Sequence, residues 1–104
     1  MASKYGAIRT LFNGRSYASK SEAKWAMYYE AELKARRIAK IEYQPIIELT
    51  PRPNRIKYVP DFLIYHLDGS LEYVEVKGMW TPVAKLKLKL LKHFHPATNL
   101  TIVG

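Results

Sequence analysis

Asp61, Glu75 and Lys77 are the residues whose types and spacing could do chemistry, and they lie in one stretch, YVPDFLIYHLDGSLEYVEVKG, residues 58–78. It reads as a β-hairpin with Val74 and Val76 on one face and Tyr73, Glu75 and Lys77 on the other. Whether the carboxylates meet depends on the turn. A two-residue Asp68-Gly69 loop pairs position 61 with 76 and puts Asp61 on the face opposite Glu75. A three-residue loop, Leu67-Asp68-Gly69, sets 61 against 75, and the sequence supplies glycine where a left-handed residue must follow a type I turn. On that register Asp61 and Glu75 are cross-strand neighbours, with Lys77 on the same side.

Two ionised carboxylates about 4–5 Å apart repel by about 3–4 kcal/mol at an effective dielectric near 20. That is more than an ordinary surface pair is worth. Lys77 neutralises one charge, whereas a hard divalent cation such as Mg²⁺ or Mn²⁺ takes oxygens from both, the usual arrangement at phosphate chemistry. Such a cation polarises a phosphodiester and acidifies a water, and Lys77 would orient that water or offset transition-state charge. The chain has no cysteine, which excludes disulfides and Cys-rich zinc sites, and the spacing of His66, His93 and His95 matches no zinc signature. The histidines near a helix end are expected to engage its last carbonyls.

The elements that must position these residues are legible in outline. Asn13-Gly14 between partly apolar arms signals a small N-terminal hairpin. SKSEAKWAMYYEAELKARRIAK predicts one long helix over 20–39, with Ser19 and Glu22 at capping-box spacing. Glu22 also shares a stripe with Ala26, Tyr29 and Leu33, the face expected on the sheet, where an acid needs a partner. It is therefore expected at the metal site, with capping as a compatible second role. IEYQPIIEL predicts a strand that Pro45 confines to an edge or a bulge, and IKYVPDFLIY predicts another after the basic loop TPRPNR. TPVAKLKLKLLKHF alternates over KLKLKL, but Thr81-Pro82 and the spacing of Val83, Leu86, Leu90 and Phe94 favour a helix. NLTIVG closes as a short strand. After the hairpin the order is α-β-β-β-α-β, a single α/β (α+β) domain over 1–104.

Pro60-Asp61 with Glu75-Val76-Lys77 in that order of elements resembles the PD-(D/E)xK nuclease superfamily. SEAKWAMYYEAELKARRI, YVPDFLIY and EYVEVKGMWTP look like the phage endonuclease I type of Holliday junction resolvase. They are also similar to small phage nucleases with a Ser-x-x-Glu-Ala helix start and a Gln-Pro strand, over residues 17 to 92 or so. The resemblance implies a restriction-endonuclease-like core, a mixed sheet flanked by helices. It implies Asp61, Glu75 and the Val76 carbonyl as metal ligands, Glu22 as ligand to a second metal, Lys77 as the catalytic lysine, and Gln44 as the family glutamine near the site. The chain departs in being short for a resolvase and in showing no long extra segment for an exchanged-arm dimer.

Charge distribution points to the same kind of partner. The total is +8, yet residues 22–77 hold nine bases and nine acids, while residues 1–21 (Lys4, Arg9, Arg15, Lys20) and 78–104 (Lys85, Lys87, Lys89, Lys92) hold no acid. Acid-free basic ends attract polyanions, although solvated lysine faces are also ordinary surface. Arg15, Gln44, Arg52, Arg55, Lys57, Lys85, Lys89 and Lys92 are the candidate DNA contacts, and Trp80 is the aromatic placed beside the motif. The reading is a Mg²⁺- or Mn²⁺-dependent endodeoxyribonuclease acting on branched DNA or four-way junctions. A homodimer follows, since paired cuts need two sites. The alternatives are a non-catalytic nucleic-acid-binding module and a structural or interaction protein of a phage particle. With no signal peptide and no run of 18 apolar residues, the expectation is no membrane and a cytoplasmic location, in the host bacterium for a phage gene.

Overall fold

The computed structural model describes residues 10–12 and 14–104. Thr10–Phe12 (β1) and Arg15–Tyr17 (β2) pair antiparallel with Phe12 opposite Arg15, so the expected N-terminal hairpin forms. Gly14 has φ +77°, the left-handed conformation its turn demands. Asn13, the other half of that signal, lies outside the described residues, as do Lys4 and Arg9 of the basic N-terminal stretch.

Helix α1 spans Lys20–Lys34. Ser19 caps it, its side chain accepting from the Glu22 N–H at 3.1 Å. The helix ends five residues short of the expected position 39, although Ala35, Arg36 and Arg37 are good helix formers. Arg36 turns left-handed at φ 59° and the Arg37 N–H returns to the Glu32 carbonyl at 3.0 Å. This delivers Ile38 to the sheet core, and burying that side chain outweighs continued helix propensity.

Ile38–Tyr43 forms β3. The single strand expected over 41–49 is divided, because Gln44 adopts φ 51° ahead of Pro45 and the chain turns out of the sheet. Ile47–Glu48 (β4) then pairs with Lys57–Tyr58 (β5), a separate two-stranded ribbon closed by the proline-rich loop. The strand expected over 56–65 is divided likewise, since buried Pro60 has no N–H for a ladder. Phe62–His66 (β6), Leu71–Val76 (β7), helix α2 over Pro82–Phe94 and Leu100–Val103 (β8) complete the chain.

The main sheet runs β3-β6-β7-β8, antiparallel at the first two junctions and parallel between β7 and β8. The chain is therefore of mixed α and β class, with two helices and a mixed sheet among the described residues. Phe62, Ile64 and Val74 pack with Ala23, Ala26 and Tyr29 of α1, forming the larger core. On the other face, Tyr73 and Leu100 meet Leu91 of α2 together with Ile47, Leu49 and Tyr58 from the ribbon region. Coverage on both faces explains why Phe62, Leu63 and Ile64 are consecutively buried.

Helix α2 turns a different side inward from the one its spacing suggested. Leu91 is buried against the ribbon and Leu90, from the expected stripe, packs beside it, whereas Val83, Leu86 and Phe94 remain exposed. His95 ties this end of α2 to β4, its Nε2 lying 2.7 Å from the Glu48 carbonyl, rather than to the helix's own last carbonyls. His93 instead stacks edge-on against Phe94. Among the described residues no helix is long and apolar enough to cross a membrane.

Candidate metal centre

The hairpin register follows from its turn. Phe62 lies opposite Val74, Leu63 opposite Tyr73 and Tyr65 opposite Leu71, so the ladder ends one residue short of Asp61, whose side chain rather than its strand position meets Glu75. The turn is the three-residue one: the Gly69 N–H reaches the His66 carbonyl at 3.0 Å, and Gly69 has φ +88°. Asp68 steadies it by accepting from the Ser70 N–H at 2.9 Å.

Asp61 is held through its backbone on both sides. Its N–H donates to the Val74 carbonyl at 3.0 Å, and its carbonyl accepts from the Gln44 N–H at 3.0 Å. Its side chain accepts from the backbone N–H of Val76, 2.7 Å from Oδ2. That bond commits one carboxylate oxygen to the fold and fixes the other's direction. Glu75 is buried at 7% exposure, and its Oε2 takes a hydrogen bond from Lys77 Nζ at 3.1 Å. Its Oε1 is buried without a hydrogen-bond partner among the described residues. Glu22, at 8% exposure in the first turn of α1, also reaches the Asp61 carboxyl. Asp61 is thus the member shared by the other two acids.

The electrostatics record the strain of this arrangement. Burial raises the Glu75 carboxyl to about 7, with a further upward push from the Asp61 charge and a downward pull from Lys77. Burial also raises Asp61, opposed by the Val76 N–H, by hydrogen bonding with Glu75 and Glu22, and by Lys77. Tyr58 is kept a neutral phenol by burial and by the negative charges of Glu75 and Asp61. Nothing in the sequence pattern set Tyr58 apart from the seven other tyrosines.

No three His, Asp or Glu side chains among the described residues already stand as a ligand set for a metal ion. The carboxyls instead lean on one another, a contact two ionised groups can sustain only by sharing a proton. The donor set nevertheless suits a hard cation: carboxylate oxygens of Asp61 and Glu75, with Glu75 Oε1 left without a hydrogen-bond partner among the described residues. Asp61 and Glu75 are the pair to hold it, with Glu22 also at Asp61. What is visible of Val76 is its N–H on Asp61.

The cationic candidates divide by location. Arg15 and Gln44 line a cavity of about 190 Å³ that Glu22 and Asp61 also line, so these two stand at the carboxylates. The Arg15 guanidinium lies 3.9 Å from the centroid of the Tyr43 ring. Exposed Arg52 and Arg55 are in the ribbon's loop and Lys57 is on β5 next to Tyr58. Lys85, Lys89 and Lys92 are exposed along α2. Lys77 Nζ is 5.7 Å from the centroid of the Trp80 ring, which sits half-exposed just beyond the motif. Tyr43, the shelf under Arg15, was not foreseen; its position directly before Gln44-Pro45 is the one available signal.

No curated protein matches the chain. Residues 2–104 match the family described as Protein of unknown function (DUF1064), and the chain belongs to that family.

Proposed function

We propose that the chain is a divalent-metal-dependent endodeoxyribonuclease of the PD-(D/E)xK kind, built on a restriction-endonuclease-like core and cutting branched DNA as a homodimer. The observation that carries this reading is the side-chain meeting of Asp61 with buried Glu75, whose Oε1 has no hydrogen-bond partner among the described residues, beside the Lys77 ammonium. Structural carboxylates are normally satisfied, and an orphaned oxygen next to a second acid is a functional signal.

When bound, Mg²⁺ or Mn²⁺ supplies positive charge to phosphate oxygens and an acidified water. The protein's own groups do the rest. Asp61 presents its second oxygen, the one not held by the Val76 N–H, and Glu75 presents Oε1. Lys77 holds Glu75 Oε2 and keeps a cation where charge develops on the reacting phosphate. Glu22 adds a carboxylate that also reaches Asp61, suited to a second ion. Arg52, Arg55, Lys57, Lys85, Lys89 and Lys92 supply exposed charge for the DNA backbone, and two copies supply the two sites that paired strand cuts require.

The test is incubation with supercoiled plasmid and with a synthetic four-way junction, in Mg²⁺ or EDTA, using wild type and Asp61→Ala. The reading predicts metal-dependent cleavage that the variant loses, with the junction preferred. DNA that is bound but uncut would instead favour a non-catalytic binding module.

A further inference from the structure

The face of the carboxylate site away from Lys77 is a cavity with its own architecture. It is lined by Arg15, Ser16 and Tyr17 on β2 together with Glu22, Tyr43, Gln44 and Asp61. At about 190 Å³ it falls below the ~300–1,000 Å³ of pockets that enclose whole small molecules. It fits a group the size of a phosphate, not a nucleoside.

Arg15 is prepared for such a group. Its guanidinium carbon lies over the Tyr43 ring, 3.9 Å from the centroid, a contact that does not consume its N–H donors and so leaves them for an anion. Tyr43 is itself fixed, its hydroxyl bonded to Glu30 and its ring packed against Phe62 at 5.8 Å. Among the described residues Arg15 forms no ion pair with a carboxylate, although Glu22 and Asp61 share its cavity. Gln44 enters the same cavity from a left-handed position at φ 51°, its N–H tied to Asp61. The backbone that seats Asp61 therefore also seats Gln44.

We infer that Arg15, stacked on Tyr43 with Gln44 beside it, is a clamp for the backbone phosphate adjoining the one cleaved at Asp61 and Glu75. Arg15 is a positioning residue, which selects the phosphate that rests over the carboxylates. The inference rests on the nuclease reading for the identity of the strand it holds. A lysine could not replace it, because a point charge neither stacks on Tyr43 nor offers a fork of donors.

The experiment measures binding of a labelled four-way junction and a labelled linear duplex in Ca²⁺ by fluorescence anisotropy, then maps cut positions in Mg²⁺. Wild type is compared with Arg15→Ala, Arg15→Lys and Arg37→Ala, the last removing one exposed charge outside the site. Arg15→Ala is expected to weaken binding by about tenfold or more, the loss of a charge-assisted hydrogen bond. Arg15→Lys is expected to stay close to it, and Arg37→Ala to change binding less than about twofold. Cuts by the Arg15 variants should scatter to neighbouring phosphates, with melting temperatures unchanged. Arg15→Ala binding and cutting like wild type overturns the clamp, as does full rescue by lysine or a variant that only melts lower. Wild type that binds through Arg15 but never cuts leaves the clamp standing and sinks the nuclease reading. Wild type that binds no DNA sinks both.

Discussion

The backbone N–H of Val76 stands 2.7 Å from Oδ2 of Asp61, next along the strand to Glu75, whose Oε1 has no hydrogen-bond partner among the described residues. One acid is anchored by the fold and its neighbour is left incomplete. Burying a carboxylate without compensation costs several kcal/mol, and burial with the Asp61 charge raises the Glu75 carboxyl to about 7. A proton and a divalent ion are therefore competitors for the same place.

That competition gives the metal-free protein a pH-dependent stability. The folded-state value of Glu75, about 7, lies above its ordinary 4.5, and Asp61 is raised as well. A raised value means the folded state holds a proton the unfolded state releases. Stability from this source is full below about pH 4.5 and is lost as pH climbs through about 7. Melting temperature in EDTA should fall between about pH 5 and pH 8, and Glu75→Gln should flatten the decline. An unchanged slope in the variant would assign the pH dependence elsewhere.

Lys77 opposes the upward shift of Glu75. Lys77→Met should lower cleavage by about 100-fold or more, the scale of losing one preorganised charge at a transition state. The residual activity should need a higher pH, since Glu75 without its ammonium ionises later. Loss of rate with an unmoved pH profile would mean that Lys77 acts on the substrate alone.

The register that unites the acids depends on Gly69, at φ +88° with open space where a Cβ would go. Gly69→Ala meets no clash, so its cost is backbone strain of about 1–2 kcal/mol. Melting should drop by roughly 4–8 °C per kcal/mol for a domain of this size, with cation binding retained in the folded protein. Loss of binding at full stability would show a slipped register.

The turn was readable because its chemistry is local: Asp68, Gly69 and Ser70 lie in sequence and allow few solutions. The mixed α/β order was equally legible from apolar periodicity. Where α1 stops was not, because Ala35 to Arg37 favour helix and only the demand of the sheet for Ile38 overrides them. The break at Gln44 escaped for a similar reason, since glutamine rarely turns left-handed and tertiary contact with Asp61 holds it there. At the site, Asp61, Glu75, Lys77 and Glu22 were accessible from spacing. Tyr58 and the stacking of Arg15 on Tyr43 were not, because no periodicity links groups joined only by the folded chain.

Titration of Mn²⁺ into the protein at about pH 8, followed by the loss of the free-ion electron paramagnetic resonance signal, tests the convergence of Asp61 and Glu75 most directly. Wild type should take up the ion saturably, and Asp61→Asn, whose side chain can still accept from Val76, should reduce affinity by about tenfold to a hundredfold or more. Uptake that is absent in wild type, or equal in the two proteins, would contradict the account.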